Sequence, residues 1–319
     1  MSHNVETMAY AGELPWHGLG VPVSNDMSAY EMMEAAQLNW SVKKVPMFYK
    51  PYSNGFTSIQ SVDDKMLLIR EEDNMQLDVV GRNWHPVQNQ QAFDFFYDWV
   101  EEGKMEMHTA GSLSNGKIVW ILAKVNETFE VLKDDVVESY MLFTNPHSFG
   151  TSLNVRFTPI RVVCNNTLQL ALGQHNNGIR LDHTKKFDPH MVKDALGLAS
   201  DSMIEYSNKA KHLVNKMSTK ESRDEYFRQL FPMTHHEDQV KGYVRSKKAA
   251  SANRLHNTGT PGSEFAKDSW WDTFNTVTFM YDHTLGKGNA SRLRSSWYGE
   301  ASKAKQHALS KALEYADVA

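Results

Sequence analysis

The stretch MEMHTAGSLSNGKIVWILAKV, Met105 to Val125, decides the fold class of the first half of this chain. Its two runs of alternating or apolar residues, 105–113 and 117–125, flank the tripeptide SNG at 114–116. Asn-Gly between two such runs is typical of a β-hairpin, because both residues tolerate the positive φ that a tight turn requires. The stretch therefore predicts two antiparallel strands joined by a short turn.

More strand-like runs surround this hairpin, each bounded by turn-forming residues. They cover residues 40–49, 65–70, 77–81 and 137–144. Two short helices interrupt them. One starts at Ser28 with Glu31 three residues on, the pattern of a capping box, and the other covers 89–100 with Phe93 and Phe96 on one stripe.

In the second half of the chain the apolar residues repeat with a different period. From Pro189 the apolar residues recur every 3.6 residues, in a stripe that runs from Val192 to Met217. Later helical stretches cover residues 220–230, 237–255, 270–281 and 300–316. We predict an α+β fold, with a strand-rich antiparallel sheet and a few helices in an N-terminal domain (1–185) and an all-α helical region in a C-terminal domain (186–319).

Charge is divided unevenly along the 319 residues. The first 185 residues hold 14 Lys+Arg and 22 Asp+Glu, a net charge of −8, and the rest hold 20 and 16, a net charge of +4. This division predicts two surfaces with different partners. No apolar run approaches the roughly 18 residues of a membrane span, and the N-terminus lacks the pattern of a signal peptide, so we expect no membrane association.

Two basic segments of the second half favour nucleic acid as a partner. KGYVRSKKAASANRLH, residues 241–256, has no acidic residue, and ASRLRSSWYG, residues 290–299, combines arginines with aromatic rings. Basic side chains suit the phosphates of a single strand and rings suit its bases. The candidate residues in these segments are Lys241, Arg245, Lys247, Lys248, Arg254, Arg292, Arg294 and Trp297. The alternative is a solvated helical face and a Trp297 that anchors the core.

The only cysteine, Cys164, lies in TPIRVVCNNTLQLAL, residues 158–172. Thr-Pro suits the start of a helix, so we expect a helix from about residue 160 that buries a structural Cys164, because no base lies near the thiol. Arg161 and Asn165 at that helix start suit an anion, or else a helix cap.

No catalytic or cofactor motif stands out: the chain has no phosphate-binding loop and no nucleophile elbow. We therefore assign no catalytic residue, cofactor or metal, and lean against an enzyme. A metal-dependent hydrolase stays open as an alternative. It would require His17, His85, His147 or His283 to converge with carboxylates.

Four motifs in order resemble the phage/plasmid-like protein family, whose domain is one of unknown function. They are PWHGLG at 15–20, VVGRNWHPVQNQQAFDFF at 79–96, the stretch at 158–172, and WWDTFNTVTFMYDH at 270–283 with the later SRLRSSWYG. The resemblance implies a protein carried by bacteriophages, plasmids or integrated elements that acts in the cytoplasm of the host cell.

A second resemblance is to the strand-rich, helix-backed core of phage single-strand annealing proteins. It implies single-stranded DNA binding and annealing in recombination or replication, and self-assembly into a homo-oligomer. Arg156 and Arg161 join the phosphate-binding candidates, and the annealing interpretation expects Lys43, Lys44 and Lys50 to cluster with them. The alternative function is a non-enzymatic phage protein that binds a host protein through its acidic surface, as an inhibitor or DNA mimic.

Overall fold

The computed structural model describes residues 5–12, 20–51, 58–161, 166–167, 179–184, 187, 195–233, 245–286, 295–296 and 299–318. The strands within these ranges are β1 (Val5–Ala11), β2 (Val21–Val23), β3 (Val42–Tyr49), β4 (Gln60–Arg70), β5 (Gln76–Gly81), β6 (Met105–Leu113), β7 (Ile118–Glu130), β8 (Val136–Pro146), β9 (Leu153–Arg161), β10 (Asn166–Thr167) and β11 (Ile179–Leu181). The α-helices are α1 (Ala29–Ala35), α2 (Asn89–Glu101), α3 (Ala195–Val214), α4 (Lys220–Leu230), α5 (Lys247–Thr258), α6 (Trp270–Phe279) and α7 (Glu300–Val318).

The α+β class is confirmed, and so is the hairpin that predicted it. Strands β6 and β7 pair antiparallel, with Leu113 opposite Ile118. The turn residues Ser114, Asn115 and Gly116 have φ values of 56°, 58° and 81°. The local sequence therefore fixes this register before any long-range contact forms.

Two sheets make up the strand-rich part. The larger sheet has the order β10-β9-β8-β7-β6-β1-β2, with β11 also paired to β9, and its edge strand β2 runs parallel to β1. The smaller sheet is the antiparallel meander β3-β4-β5. Strands that follow one another along the chain are mostly neighbours, as expected where short turns connect them.

The described residues divide into two compact units. The strand unit lies within residues 1–126, 140–156 and 174–198, and the helical unit lies within residues 127–139, 157–173 and 199–319. The predicted domain boundary between residues 185 and 186 stays a prediction.

The strand unit buries the apolar face of α2. Phe93 and Phe96 are buried as the stripe predicted, and the rings of Phe95 and Phe96 lie 5.3 and 6.0 Å from that of Phe143 in β8. The capping box at Ser28 is also confirmed, because Ser28 Oγ accepts a hydrogen bond from the Glu31 amide while the Glu31 carboxylate accepts one from the Ser28 amide.

The helix predicted to start at residue 160 is wrong at its start. Strand β9 continues to Arg161, and its Ile160 and Arg161 pair antiparallel with β10. The reason is an alternation of period two: Leu153, Val155 and Phe157 are all buried on one face of the strand, and that pattern outweighs the preference of proline for a first helical turn. Cys164 and Asn165 lie outside the described residues.

Helix α6 forms the centre of the helical unit. Each residue from Trp270 to Thr278 is buried, including five with polar side chains. Four of these polar groups donate to carbonyls of the helix or its N-cap at 2.9–3.0 Å: Thr273 Oγ1 to Ser269, Asn275 Nδ2 to Trp271, Thr276 Oγ1 to Asp272 and Thr278 Oγ1 to Asn275. A helix can be buried on every side when its polar groups are satisfied in this way.

A buried ion pair joins α7 to the π-helical turn at Met280–Thr284. Lys305 Nζ lies 2.7 Å from Asp282 Oδ1, with neither side chain more than 2% exposed, and Ser296 Oγ donates to the same oxygen at 2.7 Å. Burial lowers the pKa of Lys305, and the neighbouring Asp282 opposes that shift. The pair holds because each charge has a partner that replaces water.

Replacing Lys305 with Met should destabilise the protein by about 3–5 kcal/mol, because the Asp282 carboxylate then remains buried without its counter-charge. Urea unfolding followed by circular dichroism measures this loss. Lys311→Met is the matched control, since the Lys311–Glu314 pair is more exposed and such pairs contribute about 0–1 kcal/mol. Equal losses in the two variants would contradict a special role for the buried pair.

Candidate functional site

The structure describes part of the predicted nucleic-acid set. Arg156 is half-buried in β9, and Arg161 ends that strand, where its backbone pairs with Asn166. The side chain of Arg161 falls outside the described part, as do four whole residues of the set: Lys241, Arg292, Arg294 and Trp297.

Helix α5 brings three of the predicted residues together. It starts after Ser246, whose Oγ accepts a hydrogen bond from the Ala249 amide at 3.1 Å. One side of the helix is buried through Ala249, Ala252 and His256. Lys247, Ser251 and Arg254 follow one another at helical spacing on the opposite side. With Lys248, which flanks them, they form a surface we call the α5 basic face.

The two lysines of this face, Lys247 and Lys248, lie at the N-terminus of α5, where a positive charge is destabilising. A helix N-terminus carries partial positive charge, so cations in its first turn are unfavourable by about 0.3–1 kcal/mol each. Lys247 and Lys248 occupy that first turn, both are exposed, and neither forms an ion pair with any residue that the structure describes. The combined field therefore attracts an anion.

Arg245, unlike these two lysines, forms an ion pair with a described residue. Its guanidinium lies 2.5 Å from Asp224 Oδ1 in α4, and the same oxygen accepts a hydrogen bond from Asn253 Nδ2 of α5 at 3.0 Å. Asp224 therefore ties the segment before α5, and α5 itself, to α4.

The lysines at the start of β3 also have partners. Lys43 Nζ lies 3.2 Å from Glu71, with both side chains more than half exposed, and Lys44 Nζ donates to the Arg82 carbonyl at 2.7 Å. Lys50 is exposed. In the described strand unit, the first two of these charges are thus used in local contacts.

A second candidate site is a set of buried polar side chains in the strand unit, of which the sequence analysis named only His147. We call Asn89, Asn145, His147 and His183 the polar cluster. Asn89 Nδ2 donates to the carbonyls of Leu38 (3.0 Å) and Trp40 (3.3 Å), and Asn89 Oδ1 lies 3.0 Å from His147 Nε2.

The other two members of the polar cluster bind the segment just before α2. Asn145 Nδ2 donates to the Val87 carbonyl at 2.9 Å, and His183 Nδ1 lies 3.0 Å from the His85 carbonyl. The backbone of the same pair is joined as well, because the His85 amide donates to the His183 carbonyl at 2.6 Å. Residues 85, 87 and 89 are thus each held by one side chain of the cluster.

Both histidines of the cluster are packed against tryptophan rings. His183 stacks on Trp84 at 4.0 Å between centroids, and His147 meets Trp40 edge-on at 5.3 Å. Burial, with a smaller effect of His183, lowers the pKa of His147 to about 3, and burial also lowers the pKa of His183. Both rings are therefore neutral at pH 7.

The metal-dependent hydrolase alternative requires histidine and carboxylate side chains that converge on a metal ion. Among the described residues no group of three His, Cys, Asp or Glu side chains is placed to hold a metal ion. His85 is half-buried, and the His283 ring packs 4.5 Å from that of Phe279. His17 is not described.

The fold and these two sites define an α+β protein with a strand-rich sheet, a helical region and no recognised catalytic motif. The family model of a domain of unknown function (DUF932) matches residues 76–308, which is most of the chain. The chain belongs to this family. No curated protein and no solved structure matches it. Among the described residues, no helix has the length and apolar character needed to cross a membrane.

Replacing Asn89 with Ala should lower the free energy of unfolding by about 1–3 kcal/mol, which is the cost of one buried polar group left unpaired. The substitution removes the partner of His147 Nε2 and two donors to backbone carbonyls. Chemical denaturation measures the change. Gln90→Ala, which removes an exposed amide one residue later, should stay within about 0.5 kcal/mol, and a similarly small loss in Asn89→Ala would contradict the assigned bonds.

Proposed function

We propose that this protein binds single-stranded DNA and pairs complementary strands during the recombination or replication of a bacteriophage or plasmid. The α5 basic face carries the proposal, since it is exposed, free of acidic residues and opens at a helix N-terminus. Lys247, Lys248 and Arg254 would contact consecutive phosphates. The resemblance of the four motifs to phage/plasmid-like proteins supports the biological setting.

Other residues would extend the contact along the strand. Lys241 precedes α5 by a few residues, and Arg292, Arg294 and Trp297 lie in the basic segment before α7. Arginines would neutralise further phosphates, and the Trp297 ring would stack on a base. Arg156 and Arg161 complete the proposed set, and Arg245 would act by fixing α5 against α4.

Annealing also requires that two like-charged strands be brought together. A protein that neutralises the phosphates of each strand lowers their repulsion, and several copies side by side hold a strand extended for pairing. The proposal therefore includes a homo-oligomer that acts in the host cytoplasm. Neither nucleotide hydrolysis nor a cofactor is required.

The test is fluorescence polarisation of labelled single- and double-stranded oligonucleotides across a salt series. We expect tight binding to single strands, with log K falling by about 0.7 per phosphate contact for each unit of log salt. Lys247→Ala with Lys248→Ala should lower that slope by about 1.4, because two contacts are lost.

The matched control removes the same charge elsewhere in the helical unit. Lys211 in α3 and Lys220 in α4 are both exposed, and replacing both with Ala should leave the salt slope unchanged. If both double variants weaken binding equally, net charge rather than the α5 basic face explains the affinity. If the unmodified protein shows no binding at about 50 mM salt, where phosphate contacts are strongest, the proposal is wrong.

A second candidate function is recognition of a host protein by an acidic surface. Asp63 and Asp64 in β4 and the turn residues 71–73 are exposed carboxylates in the strand unit. In affinity capture from host lysate, this function predicts a partner that is lost when Asp63 and Asp64 become Asn and Asn. Retention of that partner by the variant would count against the acidic surface.

A further inference from the structure

Three buried side chains of the polar cluster each keep one acceptor atom without a hydrogen-bond partner in the described structure. These atoms are Asn145 Oδ1, His147 Nδ1 and His183 Nε2. Asn145 and His147 are 0% exposed and His183 is 4% exposed. Buried polar atoms nearly always have a partner, so three such atoms in one cluster make it a candidate site for a ligand.

The hydrogen bonds of His147 determine which of its nitrogens carries the proton. Both bonds of Asn89 Nδ2 go to backbone carbonyls, which fixes Asn89 Oδ1 as an acceptor towards His147. His147 Nε2 therefore donates, which leaves Nδ1 as the ring nitrogen that can present a lone pair.

The same reasoning applies to His183 and Asn145. The partner of His183 Nδ1 is the His85 carbonyl, which only accepts, so Nδ1 carries the proton and Nε2 presents a lone pair. Asn145 uses its amide nitrogen on the Val87 carbonyl, which leaves its oxygen as the acceptor. All three atoms are therefore acceptors, and none is a donor.

The three side chains approach one short stretch of the chain. Their partners are residues 85, 87 and 89, at alternate positions, and Asn145 and His147 are themselves two residues apart. A water molecule donates only two hydrogen bonds, whereas a metal cation satisfies three acceptors.

We propose that the polar cluster binds one divalent transition-metal ion of the zinc class through His147 Nδ1, His183 Nε2 and Asn145 Oδ1. Neutral imidazole suits these metals. A ligating histidine usually donates its other ring N–H to a carbonyl or similar acceptor, and both histidines do so here. The metal would join the end of β8 and the residue pair after β11 to the segment that leads into α2.

Two substitutions remove the lone pairs and keep the hydrogen bonds. His147→Gln places an amide nitrogen where Nε2 donates to Asn89, and His183→Asn places one where Nδ1 donates to His85. Both variants should therefore fold. His212→Gln is the control, since His212 is a more exposed histidine of the helical unit paired with Asp317.

The measurement uses full-length protein without a histidine tag, stripped with a chelator and titrated with Zn²⁺ by calorimetry and with Co²⁺ by absorption spectroscopy. We expect one ion per chain, Co²⁺ bands typical of nitrogen and oxygen ligands, and a raised melting temperature when Zn²⁺ is in excess. Each histidine variant should bind at least tenfold more weakly, and His212→Gln should bind normally.

Three results would overturn the proposal. They are the absence of stoichiometric metal uptake by the stripped protein, unchanged metal binding in the folded histidine variants, and an ordered water alone among the three atoms in a crystal grown with Zn²⁺. None of these outcomes depends on DNA binding, so this site and the α5 basic face are tested separately.

Discussion

A buried polar group must find its hydrogen-bond partner inside the protein. Each unit of this chain has a central segment in which many buried polar groups need such partners. In the helical unit this segment is α6, whose whole circumference is buried. Thr273, Asn275, Thr276 and Thr278 meet the demand locally by bonding to carbonyls three or four residues back. The helix can thus present Trp270, Trp271 and Phe274 in several directions, and it holds its neighbours by packing and by polar bonds such as that from Trp271 Nε1 to Asp135 Oδ2.

The strand unit meets the same demand with long-range contacts. Residues 85–88 lie outside the regular helices and strands, so their backbone groups need partners from elsewhere. His183 and Asn145 bind the carbonyls of His85 and Val87, and His147 binds the side chain of Asn89 at the start of α2, in each case across 58 or more residues of sequence. The position at which α2 begins is therefore determined by side chains at the ends of β8 and β11, and the buried aromatic face of α2 depends on that position.

The difference between local and long-range partners explains what the sequence could predict. The hairpin at 105–125, the capping box at Ser28 and the extent of α4 depend on neighbouring residues, and all three are confirmed. The helix expected from residue 160 was wrong because proline suits two structures, and the buried alternation of Leu153, Val155 and Phe157 continues the strand to its pairing with β10. Of the polar cluster the sequence pointed only to His147, because the other members look like ordinary turn residues until the fold brings them together.

The sequence is limited in the same way for charged residues, because it does not show which partner a basic side chain has in the folded protein. Asp224 forms an ion pair with Arg245, Glu71 forms one with Lys43, and the Arg82 carbonyl accepts a hydrogen bond from Lys44. These three charges therefore already have partners within the fold. Lys247 and Lys248 instead occupy a first helical turn, where their charge opposes the helix dipole and weakens the protein. An anion at that position is attracted both by the lysines and by the helix N-terminus, and these attractions offset the repulsion. A surface that is unfavourable when empty and favourable when a phosphate is bound is the arrangement expected of a binding face, and this reasoning ranks α5 above the other basic segments that the structure describes.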